Sequence, residues 1–278
     1  MLEEEERERQ KDEEVVGWLC SLSDLALVLQ RQGKHEAAEE MNRRALEGRE
    51  KVLGKEHPDT LTSISNLALV LQEQGKYEAA EEMDRRALEG REKVLGKEHP
   101  STLTGVSNLA LVLRNQGKYE AAEEMNRRAL EGSEKVLGKE HPDTLTSIGN
   151  LALMLQRQGK YEAAEEMKLR ALEGREKVLG KEHPSTLTSI SNLALVLQYQ
   201  GEYEAAEEMS RRALEGREKV LGKEHPDTLT SVYCLAHLLH QKADFSAAMP
   251  LYERACSGYV LKLGPSHPTT TQCVSHMW

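Results

Sequence analysis

A His-Pro pair recurs every 42 residues along this chain, at His57-Pro58, His99-Pro100, His141-Pro142, His183-Pro184, His225-Pro226 and His267-Pro268. The stretches between the pairs are near copies, and 59–100 and 143–184 differ at only five of 42 positions. A period of this length means stacked supersecondary units, each burying its apolar face against the next, and not a single closed domain. Counting back from Pro268 gives six units: 17–58, 59–100, 101–142, 143–184, 185–226 and 227–268. Residues 1–16 remain as an acidic N-terminal segment and 269–278 as a truncated capping helix. That last fragment stops inside what would be the next unit's first helix. It reads either as a cap or as the start of a longer array.

The unit 59–100 shows what each copy is made of. Pro58 stops the preceding segment, and Asp59 is placed to accept hydrogen bonds from the free amides of a helix start. Ile64, Leu67, Ala68 and Leu71 follow at i, i+3, i+4 and i+7, one face of a helix. Gly75 ends it. A second helical pattern begins two residues later and runs from about Glu78 to Leu95, with Ala80, Met83, Ala87, Val94 and Leu95 inward. So short a link makes the two helices an antiparallel hairpin. Glu81 with Arg85 and Glu82 with Arg86 are i,i+4 pairs in the favourable order, read as solvated supports. Gly90 interrupts the second helix, and Gly48, Gly132, Gly174 and Gly216 match it. A mid-helix Gly costs about 1 kcal/mol relative to Ala, so either a close helix approach or a local kink is implied.

The run Leu67-Ala68-x-x-Leu71, then Gly75-Lys76-Tyr77, Ala80 and Ala87-Leu88, resembles the tetratricopeptide pattern of helix A, turn and helix B. The longer 42-residue version, with the bridging segment Arg44–Leu61, resembles the repeats of kinesin light chains. It is also similar to the repeat arrays at the C-terminal ends of fungal NLR-like proteins. The resemblance covers Gly17 to Pro268 and implies an all-α fold, a right-handed superhelical solenoid of six antiparallel helix pairs. It implies a non-catalytic scaffold that binds peptide segments or partner proteins in a concave groove. The alternative is the sensor or oligomerisation region of a larger NLR-like signalling ATPase whose nucleotide domain is absent from this chain.

In such arrays the face of helix A turned away from helix B lines the groove. Here that face carries Thr62, Ser65, Asn66, Leu69, Gln72 and Glu73. Asn66, Asn108, Asn150 and Asn192 form a ladder, with Asp24 and Cys234 at its ends. An amide offers donors and an acceptor, so it can hold the backbone of an extended peptide whatever the side chains. Leu69, Leu111, Leu153 and Leu195 run beside the ladder as an apolar stripe. A second reading stays open, with Asn bonding inside the array and Leu packing on the neighbouring helix. Arg31, Glu73, Asn115, Arg157 and Tyr199 vary from copy to copy at one column near the groove, and are candidate specificity positions. Chaperone-tail-binding tetratricopeptide domains need a Lys beside the Asn ladder. Ser65, Ser107 and Ser191 stand there instead, so the resemblance does not extend to that ligand.

The remaining chemistry is sparse. The His-Pro histidines are spaced too far apart for adjacent copies to share a zinc ion, so no metal or other cofactor is expected. His35, Tyr77, Tyr119, Tyr161, Tyr203 and Phe245 recur just after the turn, where a ring can wedge between helices. Pro250 enters the last unit's second helix near its start, where proline is tolerated. No nucleophile, base and orienting group cluster, and a repeated surface encloses no pocket, so an enzyme or small-molecule substrate is not expected. Net charge is −10, of which residues 1–14 supply eight acids against three bases. The repeats are close to neutral, with no basic stripe for nucleic acid. No apolar run approaches membrane-spanning length. Cys20, Cys234, Cys256 and Cys273 form no C-x-x-C pair, so no disulfide framework or thiolate zinc site is expected, in keeping with a cytoplasmic protein.

Overall fold

Every His-Pro pair starts a helix. In this computed structural model, which describes residues 2–275 and side chains from Glu14 onward, His57 is the N-cap, with φ −67° and ψ 139°. Its Nδ1 accepts the Asp59 backbone N–H at 3.2 Å. His99, His141, His183 and His225 do the same for Ser101, Asp143, Ser185 and Asp227. The cap is therefore the histidine, not Asp59 as the sequence suggested. The reason lies in Pro58: its fixed φ suits the first helical position and it lacks an N–H, which puts the cap on the residue before it, two upstream of Asp59. Thr60 Oγ1 adds a hydrogen bond to the Gly54 carbonyl at 2.8 Å, tying the helix start to the loop before it.

The helices fall into two compact bodies, residues 1–138 and 139–278. The first holds α1 (Leu2–Arg31), α2 (His35–Val52), α3 (Pro58–Glu73), α4 (Tyr77–Leu95), α5 (Pro100–Asn115) and α6 (Tyr119–Leu137). The second holds α7 (Pro142–Arg157), α8 (Tyr161–Leu179), α9 (Pro184–Gln200), α10 (Tyr203–Leu221), α11 (Pro226–Gln241), α12 (Phe245–Leu263) and the short α13 (Pro268–Ser275). No strand occurs among the described residues. Each body is a stack of helix pairs, the tetratricopeptide-like architecture expected. Residues 2–16 of the acidic segment belong to α1, but Glu3, Glu4, Glu5, Glu6, Glu8, Asp12 and Glu13 have side chains outside the described residues. So do residues 276–278 of the capping segment.

Packing within a pair follows the helical stripe on α3. Ile64, Leu67, Ala68 and Leu71 are all within 1% of complete burial, and Ile64, Leu67 and Leu71 pack with Ala80 and Ala87 of α4 and with Leu46 of the preceding α2, Tyr77 lying against them. Leu151 occupies the same place on α7 and is likewise buried. The mid-helix glycines have a single cause. A Cβ on Gly90 would run into the Leu61 side chain, and Gly48, Gly132, Gly174, Gly216 and Gly258 meet Leu19, Leu103, Leu145, Leu187 and Leu229 in the same way. Close helix approach, not a kink, explains them. The inner face of α4 departs from expectation. Asp84, Leu88 and Arg91 are buried with Ala80 and Ala87, while Val94 in the last turn is exposed. Gln72, expected to point away from the core, is also buried.

The charged helix faces join repeats as well as turns of one helix. Glu81 receives Arg85 at 2.8 Å and also Lys118 of the next repeat at 2.8 Å. The Lys118 hydrogen bond, helped by Arg85 and Gln116, holds the Glu81 carboxyl down at about 2 against the opposing effect of burial. Arg86 reaches back to Glu50 of the preceding repeat, not to Glu82. Arg128 pairs with Glu92, and Arg254 with Glu218, in the same sense. These pairs therefore stitch helix B to helix B. The cysteines also correct the sequence reading, since Cys256 of α12 and Cys273 of α13 form a disulfide across a Cα–Cα distance of 5.6 Å. Helix packing brings residues 17 apart face to face, a proximity that C-x-x-C spacing cannot reveal. No described helix is long and apolar enough to cross a membrane.

Candidate interaction groove

On the side of helix A that faces away from helix B, Thr62, Asn66, Leu69 and Glu73 are exposed and Ser65 is half-buried, whereas Gln72 is buried. Asn66 and Asn150 are exposed, and Asn108 and Asn192 are half-buried. None of the four makes a side-chain hydrogen bond among the described residues. Leu69 and Leu195 are 43% and 41% exposed, while Leu111 and Leu153 are half-buried. Asn66, Leu69, Asn108 and Leu111 lie in the first body, and Asn150, Leu153, Asn192 and Leu195 in the second.

The variable column is solvated. Arg31, Glu73, Asn115 and Arg157 are all exposed, as is Tyr199. Glu73 accepts Gln30 at 2.8 Å and lies 3.1 Å from His35 Nδ1, so part of its charge is used inside the array. Asn115 is engaged at 3.3 Å by its neighbour Arg114. Tyr199 stacks on Tyr161 with ring centroids 5.6 Å apart. The turn aromatics divide: Tyr77 and Tyr203 pack on their cores, whereas Phe245 is 54% exposed and meets His240 edge-on.

Beneath the groove lies a polar floor built by helix B. Asn42, Asp84, Asn126 and Lys168 occupy one column, followed by Ser210 and Tyr252. Asn42, Asp84, Asn126 and Lys168 are each at least 93% buried. Seven residues further along each helix come Arg49, Arg91, Ser133, Arg175, Arg217 and Tyr259. The arginines reach up to the serines of helix A. Arg49 donates to Ser23 at 2.9 Å, Arg91 to Ser65 at 3.0 Å, and Arg217 to Ser191 at 2.9 Å. Ser65 and Ser191, where the chaperone-tail pattern would have Lys, are therefore ligands of a guanidinium rising from below. The sequence reading missed this floor because polar residues on a charged helix look solvated. The signal was present in the five differences between 59–100 and 143–184, one of which reverses Asp84 to Lys168.

Burial acts on both of these charges. It pushes the Asp84 carboxyl up to about 7, with Arg91 opposing, and Asp84 Oδ2 has no hydrogen-bond partner. It pulls the Lys168 amine down to about 8, and the nearby Arg175 adds to the effect. Two clefts open onto the groove in the second body. One of about 390 Å³ is lined by Gly149, Asn150, Leu153, Lys168, Arg175 and Asn192, among others. The other, of about 720 Å³, is lined by Leu195, Tyr199, Tyr203, Ser210, Arg217, Tyr233 and His237, among others. Among the described residues no three His, Cys, Asp or Glu side chains gather as metal ligands would. What these elements present together is amide groups, apolar side chains and buried cations.

Comparison with known proteins agrees with this fold. The tetratricopeptide repeat model matches residues 19–93, 63–105, 101–177, 148–219 and 185–259. The chain is similar to the crystal structure of the nearly identical TPR-like repeats of a Podosopora anserina protein of kinesin light chain type. That pair shares 30% identity with a TM-score of 0.67, over 74% of this chain and 98% of the other. BtubC (BKLC) from P. vanneervenii is 26% identical with a TM-score of 0.68, over 86% of this chain and 94% of its own. The apo form of RapI, at 15% identity and a TM-score of 0.65, shares the fold. No curated protein matches the chain.

Proposed function

Because the chain belongs to the tetratricopeptide repeat family, we propose that it is a non-catalytic interaction scaffold holding protein partners as extended segments along the outer faces of its helices A. The observation that carries this reading is the set of Asn66, Asn108, Asn150 and Asn192, exposed or half-buried, whose amides are unengaged among the described residues. Had these amides served the array itself, they would be bonded within it. An amide with a free donor and a free acceptor matches the alternating N–H and C=O of an extended backbone. Leu69, Leu111, Leu153 and Leu195 supply apolar contact beside it, and Arg31, Glu73, Asn115, Arg157 and Tyr199 supply selectivity at the rim.

The test is a binding comparison between the full chain and a variant with Asn108, Asn150 and Asn192 all changed to Ala. Each lost hydrogen bond is worth about 0.5–1.5 kcal/mol net, so affinity for a partner segment should fall at least about tenfold. Helicity should be preserved, since Ala is the better helix former. Undiminished binding would show that partners dock elsewhere.

A further inference from the structure

The first body is open on one face of α1. Leu25 and Val28 are 46% and 49% exposed, whereas their counterparts Leu67 and Val70 are 1% and 0% exposed, and those in the four later repeats no more than 3%. In the later repeats the preceding repeat helps to seal this face: Val112 of α5 packs with Leu71, Ala80 and Ala87, and Leu238 of α11 with Leu197, Ala206 and Ala213. Trp18, also exposed, stands where those repeats bury a threonine such as Thr60. The same end leaves cations free. Lys76 and Lys118 reach back to Glu39 and Glu81 of the preceding repeat, and Arg86 and Arg128 to Glu50 and Glu92. Their counterparts Lys34 and Arg44 have no carboxylate partner among the described residues, and Arg44 lies over the Trp18 ring at 5.6 Å. Nor is α1 joined to a covering repeat through the usual turn. Val15-Val16 stand where the later repeats have His-Pro, inside a helix that spans Leu2–Arg31.

We propose that this face is a homodimer interface, in which α1 pairs antiparallel with α1 of a second copy about a twofold axis near Ser23. Trp18, Ser21, Leu25 and Val28 follow at i, i+3, i+7 and i+10, the seam spacing of two packed helices. Paired about Ser23, Trp18 meets Val28 of the second copy, and Leu25 meets the small, exposed Ser21. Large side chains thus oppose smaller ones all along the seam. The same pairing lays residues 2–14 along 32–44 of the second copy, where Lys34 and Arg44 stand. Residues 1–14 hold eight acids against three bases, so this segment brings the carboxylates that a preceding repeat supplies elsewhere in the array. The chain therefore carries both the face and the apolar and charged complement to it. A twofold interface of this kind closes at two copies. It is separate from the groove, where Leu27 of α1 is exposed like its counterparts Leu69 and Leu195.

Sedimentation equilibrium of the full chain over a range of concentrations tests this. The chain should reach a dimer and stop there. Leu25→Glu combined with Val28→Glu should weaken dimerisation at least about tenfold, with an unchanged circular dichroism spectrum, because both positions are exposed. A charge exchange tests the register without touching the apolar seam. Lys34→Glu with Arg44→Glu in one chain, and Glu4, Glu5, Glu6 and Glu8 all changed to Lys in another, should each weaken the homodimer. Mixing the two chains should restore a dimer, since each then offers the charge the other lacks. A monomer at every concentration overturns the interface, as does a dimer whose dissociation constant is unmoved by the Leu25 and Val28 changes. Association that continues past two copies means end-to-end stacking and overturns the twofold pairing. Charge variants that fail to pair when mixed overturn the antiparallel register, and with it the proposal.

Discussion

At the scale of single residues, Asp84 is the side chain whose environment fits it least. It is 2% exposed, one carboxylate oxygen lacks a partner, and burial holds its titration near 7. Between the unfolded value near 4 and about 7, the folded chain keeps a proton that the unfolded chain has lost. Stability from this group is thus greatest below the unfolded value, falls as pH rises toward 7 and is flat above. Lys168 is the mirror case: its folded value near 8 lies below the usual lysine range, so stability rises as pH climbs above 8. Asp84→Asn places at this site the residue already present as Asn42 and Asn126. It should raise stability at pH 8 by roughly 1–3 kcal/mol and have little effect near pH 4, read by urea unfolding at both values. An equal effect at the two pH values would mean that Asp84 is ionised in the folded chain throughout.

At the scale of the element, the first helix of each repeat was legible and the second was only half so. Helix A carries a clean apolar stripe, so the burial of Ile64, Leu67 and Leu71 and the exposure of Asn66 and Leu69 both follow from a 3.6-residue period. Helix B carries charges on nearly every face. Its buried stripe includes Asp84 and Arg91, which hydropathy assigns to water, and so the groove floor could not be read from pattern alone. The His cap was missed for a similar reason, because propensity favours Asp, Ser or Asn at that position. Gly90 was the opposite case: the sequence marked it as anomalous, and the structure supplies Leu61 as the cause. Leu61 is 1% exposed and has nowhere to swing. Gly90→Ala gains about 1 kcal/mol of helix propensity but overpacks this contact, which typically costs about 1–3 kcal/mol. The expected result is a net loss of stability. A stabilised variant would show that the two helices have slack between them.

At the scale of the whole molecule, repetition made the architecture legible, because each misjudged residue was outvoted by its equivalents in other copies. The proposed partner chemistry was less legible, since it is placed where copies differ, and differences on a solvated face look the same as drift. Burial separates the two: Arg85 to Leu169 changes an exposed position, whereas Asp84 to Lys168 changes a buried one. Stability in stacked repeats is a sum of units and interfaces, so local damage should stay local. Leu151→Ala removes a side chain that is 2% exposed and should cost roughly 2–5 kcal/mol. Hydrogen exchange should then show faster opening in α7 and the helices packed beside it, before the rest of the chain. Uniform acceleration across the chain would mean that the array unfolds as one unit. The central claim is that the asparagine amides hold the backbone of an extended partner. It is tested most directly by a thermodynamic cycle on one bound peptide, with and without N-methylation of its central amides, against the wild-type chain and the Asn108, Asn150 and Asn192 triple Ala variant. N-methylation should weaken binding to the wild type at least about tenfold and scarcely affect the variant, since the bonds it removes are already gone there. An equal loss with both proteins would show that the asparagines do not hold the partner's backbone.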